Sequence, residues 1–86
     1  MAKHHVLVDE YGNKARFVGD HLGQNRRGDD YYVKGDDDTR TLLHVDNRDG
    51  SWLAVTREQE VDVIRRLIAE GDRDLGTRVA DALDRS

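Results

Sequence analysis

Ser51-Trp52-Leu53-Ala54-Val55-Thr56-Arg57-Glu58-Gln59-Glu60-Val61-Asp62-Val63-Ile64 contains the point at which the pattern of this chain changes. Before Thr56, aromatic and β-branched residues alternate in short runs broken by glycine, as strands do. After it, the large apolar residues stand at 61, 63, 64, 67 and 68. At helical spacing they fill an arc of roughly 160°, which suits a helix lying flat on a sheet. Thr56 and Gln59 have the spacing of a capping box. Gly71 is a natural end for that helix, and Asp72 a natural cap for a second one carrying Leu75, Val79, Ala82 and Leu83. The pattern predicts helices over 57–70 and 73–84, with Gly76 a local cost of about 1 kcal/mol.

Working back from Thr56, Asn47-Arg48-Asp49-Gly50 reads as a turn closed by a left-handed Gly50, between strands 40–45 and 52–55. A further strand covers 31–34. The N-terminal hairpin, residues 4–18, is expected to turn at Gly12-Asn13 in a two-residue type II′ turn. That register sets Val8 against Phe17 and Leu7 against Val18. It gathers Val6, Val8, Ala15 and Phe17 on one face and Leu7, Asp9, Arg16 and Val18 on the other. Asp9 and Arg16 then form a cross-strand pair worth roughly 0.2–1 kcal/mol. Residues 19–30, with three glycines, read as a flexible loop.

The expected architecture is α+β: one small domain over 1–86, with a five-stranded antiparallel sheet or small curled barrel followed by two C-terminal helices. Apolar residues fall on both sides of the strands, more than one helix layer covers, and a chain of 86 residues buries little surface by itself. Leu7, Val18, Tyr32, Leu42, Trp52 and Leu53 are therefore the expected protein interface. Dimerisation through the second sheet face or through helix 73–84 is the symmetric version of that expectation.

The chain has no Cys and no Pro, with 14 Lys+Arg against 18 Asp+Glu, a net charge of −4. Without Cys there is no disulfide framework, thiol nucleophile or thiolate metal site. Val6-Leu7-Val8 is too short an apolar run for a signal-peptide core, and no window has the length of a membrane span. A soluble cytoplasmic protein is the expectation.

Charge is unevenly placed: residues 1–28 carry +2, 29–50 carry −4 and 51–86 carry −2. Asp29, Asp30, Asp36, Asp37 and Asp38 form a candidate acidic docking patch for a basic partner. They lack the spacing of a calcium loop. Lys14, Arg16, Arg26 and Arg27 form a candidate nucleic-acid patch, with Tyr31 and Tyr32 near for stacking. A net acidic chain gains little from phosphate contacts, so nucleic acid ranks below protein as a partner.

His4, His5, His21 and His44 have no metal-site spacing, and no phosphate loop or nucleophile elbow is present. The one arrangement pointing to catalysis would be His44 or His5 in a cleft beside a carboxylate. No catalytic residue, metal or cofactor is expected. The sequence reading is a small non-enzymatic interaction protein that binds another protein.

Overall fold

A computed structural model describes residues 3–8, 11–35 and 40–84. The strands are β1 (Lys3–Val8), β2 (Lys14–Gln24), β3 (Asp30–Lys34), β4 (Thr41–Val45) and β5 (Trp52–Val55). The helices α1 (Arg57–Ala69) and α2 (Arg73–Leu83) follow. The strands lie in chain order in one antiparallel sheet, curled into a half-barrel. This is the α+β architecture that the change of period at Thr56 predicts.

The curl answers the question of the two apolar faces. On the outer face, Tyr31, Val33, Leu42 and Val55 bury against Leu67 of α1 and against Leu75, Val79 and Leu83 of α2. On the inner face no helix is needed. Leu7, Phe17 and Leu43 pack together, with Tyr32, Val45 and Trp52 around them. The sheet wraps over its own side chains, so the helical hairpin has one face to cover.

The first hairpin departs from its predicted register. Val8 pairs with Lys14, Leu7 with Ala15 and His5 with Phe17, so the paired strands end at Val8 and Lys14. The offset of three residues is odd, and an odd offset exchanges the faces of one strand. Leu7 thereby joins Phe17 in the inner core, while Val6 and Val8 turn outward beside Lys14 and Arg16. The gain is that the two larger apolar side chains share the buried face, where His5 also stacks on Phe17 at 5.2 Å. Arg16 faces Val6, and Asp9 lies outside the described residues.

The expected loop over 19–30 is a second correction. Residues 19–24 continue β2, with a bulge between His21 and Gly23, and only 25–29 form a turn. The glycines taken as loop signals serve the strand. At Gly19 a Cβ would run into the Val33 carbonyl of the neighbouring strand, and Gly23 has a positive φ of 147° in the bulge. Glycine inside a strand marks such close approaches and bulges.

The helices match their predicted limits to within one residue. Gln59 Oε1 accepts from the Thr56 N–H at 3.2 Å, which is one half of the capping box. Asp72 does not cap α2 with its side chain; its carboxylate accepts instead from the Arg26 N–H at 3.2 Å. Gly76 is buried against Ile68, where a Cβ would come within 3.0 Å of Cγ1. Its helical cost is the condition for close contact between α1 and α2.

Replacing Gly19 with alanine inserts a methyl group between two paired backbones, so Gly19→Ala is expected to lose about 1–3 kcal/mol of stability. Urea unfolding followed by the fluorescence of Trp52, the single tryptophan, measures it. A midpoint equal to that of the parent protein would show that β2 and β3 are not this close.

Candidate functional site

Two hairpin turns meet at one end of the sheet. Residues 25–29 join β2 to β3, and residues 46–51 join β4 to β5. The first turn is organised by the buried Asn25. Its Oδ1 accepts from the N–H groups of Arg27 at 3.0 Å and Asp29 at 2.9 Å, while its Nδ2 donates to Asp29 Oδ2 at 3.1 Å. Asn and Asp favour turns because their side chains bond nearby backbone in this way. The second turn closes as predicted on a positive-φ Gly50, with Gly50 N–H donating to the Asp46 carbonyl at 2.9 Å.

Asp29 joins the turns. It is 5% exposed, and its Oδ1 accepts from the Asn47 N–H at 2.9 Å. The Asn47 amide in turn donates to the Arg27 carbonyl. His44 of β4 approaches the same carboxylate, its Nε2 3.2 Å from Oδ2 but poorly aligned for a hydrogen bond. The imidazole is held by stacking on Tyr31, with ring centroids 4.7 Å apart at 13°. Burial pushes the Asp29 carboxyl up. The bonds from Asn47 and Asn25 and the nearby His44 ring together outweigh that, and it lies below the usual carboxylate range. The Tyr31 phenol is pushed up by burial and by the nearby Asp29 charge.

Around these groups opens a cleft of about 530 Å³ lined by Arg27, Asp29, His44, Asp46, Asn47 and Arg48. Arg48 donates from Nε and Nη2 to Asp46 at 3.2 and 3.0 Å, and its N–H donates to Asp46 Oδ1 at 2.8 Å. These bonds hold the Asp46 carboxyl at about 2. The Arg27 guanidinium stands between Asp29 and Glu70, 3.6 Å from each, with its side chain 57% exposed.

The predicted site residues are not brought together as predicted. Leu42 is fully buried beneath the helices and Leu7 lies in the inner core, so neither meets a partner. Tyr32 and Trp52 are half-buried on the inner face; Val18 and Leu53 are exposed on the outer face, on opposite sides of the helices. In the acidic patch Asp29 is turned inward, Asp30 bonds His21 Nε2 at 2.8 Å, and Asp36, Asp37 and Asp38 lie outside the described residues. The basic patch is divided. Lys14 and Arg16 begin β2, whereas Arg26 and Arg27 follow its far end, roughly 30 Å away at about 3.3 Å per residue.

Asn25, Asn47 and Arg48 were missed as site residues, although the second turn shows in the sequence. Asn25 spaced four before Asp29 was the available signal; that the two turns would meet followed only from the strand order. Among the described residues no group of three or more His, Asp or Glu side chains is placed to hold a metal, and no helix is long and apolar enough to cross a membrane. No known protein family, curated protein or solved structure matches this chain.

Asp29 is ionised in the folded protein at pH values where it would be partly protonated when unfolded. Its stabilising effect is present above about pH 4 and is lost as pH falls through its lowered folded value. The expected outcome is that Asp29→Asn is less stable than the parent at pH 7 and loses less on acidification from pH ~5 to ~2. Denaturant midpoints across that range check it; parallel curves would refute it.

Proposed function

We propose that this protein works by binding another protein, without catalysis, through the outer face of β1 and β2, although His44 stands in a cleft beside the Asp29 carboxylate as the catalytic reading asked. The observation carrying this reading is the row of valines left open where the helices stop. The helical hairpin packs across β2, β3 and β4. Val6 and Val8 of β1 remain 52% and 45% exposed, and Val18 of β2 43% exposed. His4 pairs with Val18 and Val6 with Arg16, so Val6 and Val18 are diagonal neighbours on one surface. Diagonal neighbours in a sheet lie within about 7–8 Å.

Lys14 and Arg16 share that surface and are exposed. An apolar strip flanked by cations favours a partner surface that is apolar and carries carboxylates. A second copy of this chain fits the same face poorly, because a two-fold contact would crowd the Lys14 and Arg16 of both copies into one interface. β1 also ends the sheet, so its outward backbone groups are open to an added strand. Nucleic acid is the weaker reading, since the four cations proposed for it sit at opposite ends of β2.

A photo-activatable cross-linker placed at Val18 is expected to capture a defined protein from the source cells, and the same group at Leu53 is not. Val6→Asp is expected to weaken that capture by about tenfold or more, and raised salt to weaken it further. Equal capture from both positions, or indifference to Val6→Asp, would defeat the proposal.

A further inference from the structure

The cleft between the two turns has a property that its net charge conceals. Its carboxylates are already engaged by fixed donors: Asp29 by Asn47 and Asn25, Asp46 by the backbone and guanidinium of Arg48. Its donors are not used to the same extent. Among the described residues no acceptor lies within hydrogen-bond distance of the Arg27 guanidinium, whose two carboxylate neighbours stand at 3.6 Å. Arg48 keeps Nη1 after bonding Asp46 through Nε and Nη2, and its side chain is 85% exposed. The Nε2 of His44 is buried against Asp29, so the accessible part of that ring is its other edge.

We infer that this cleft is a binding site for the phosphate monoester of a small polar molecule, gripped by Arg27 and Arg48 with His44 at its floor. Guanidinium groups bind oxyanions through paired N–H donors, and such charge-assisted bonds are about twice as strong as neutral ones. Seated beside Arg27, the oxyanion would provide the close acceptor that Asp29 and Glu70 do not. His44 lines the cleft between the two arginines' turns, with Asp29 on the far side of the ring. The about 530 Å³ available exceeds what phosphate alone fills, and each of the six lining residues carries a polar or charged group. Both points call for a polar organic group on the phosphate. The turns are pinned by Asn25, Asp29 and Asn47, so the donors stand on a preformed frame and little ordering is lost on binding.

The experiment is an NMR titration of the isotope-labelled protein with glycerol phosphate, reading the Arg Nε–H signals and the His44 ring. Saturable shifts confined to Arg27, Arg48 and His44 are expected. Arg27→Gln and, independently, Arg48→Gln should each weaken binding by about tenfold, whereas Arg65→Gln on α1 should not. Both variants alter exposed side chains, and the fluorescence of Trp52 reports that they are folded. Shifts that stay linear to about 50 mM, that appear equally at Arg65, or that survive Arg27→Gln would overturn the site, tens of millimolar being weaker than a specific contact. Inorganic phosphate binding as tightly as glycerol phosphate would overturn the monoester assignment.

Discussion

A buried carboxylate holds this structure together at one corner. Asp29 is withdrawn from water, and an ionised group so placed is costly unless its oxygens are satisfied. Here Asn25, Asn47 and His44 surround it, from the first turn, the second turn and the strand between them. Hydrogen bonds to charged groups contribute more than neutral ones, about 1.5–3 kcal/mol each. The joining of the two turns and the floor of the cleft depend on that one side chain.

From that corner the rest of the molecule divides between two cores. The outer core needs the helices and the inner core needs only curvature. This division explains why so short a chain buries residues on both faces of its sheet. It also explains the exposed valines: a two-helix layer is narrower than five strands, and the uncovered side falls on β1 and β2. On the opposite flank Leu53 is the corresponding exposed residue. It stands across from His44.

What was legible in the sequence was most of what local chemistry carries. The helix limits, the Gly50 turn and strand 52–55 each rest on residues within a few positions of one another. The hairpin register was not legible. Gly12-Asn13 offers a good two-residue turn, and only the packing of Leu7 and Phe17 against Leu43, some thirty residues distant, decides against it. The extent of β2 was hidden for a related reason. Gly19 and Gly23 look like loop residues until a neighbouring strand and a bulge explain them. The candidate interface failed at Leu42 because alternation tells which residues share a face, while the helices decide which face is covered. The cleft needed long-range knowledge too, since Asp29 and His44 come from segments separated by a whole strand.

The strictly sequential strand order has a bearing on assembly. Every strand pairs with its neighbour in the chain, so the sheet forms through short loop closures, the cheap kind in chain entropy. The distant contacts are those of the helical hairpin, such as the Arg78 guanidinium donating to the Leu22 carbonyl 56 residues earlier. A low contact order for the sheet and a high one for α2 favour a sequence in which the meander zips first and the helices dock afterwards. The same division makes the docked helices a natural unit of partial opening in the native protein. Such an opening would carry Glu70 away from Arg27 while the two pinned turns stay closed.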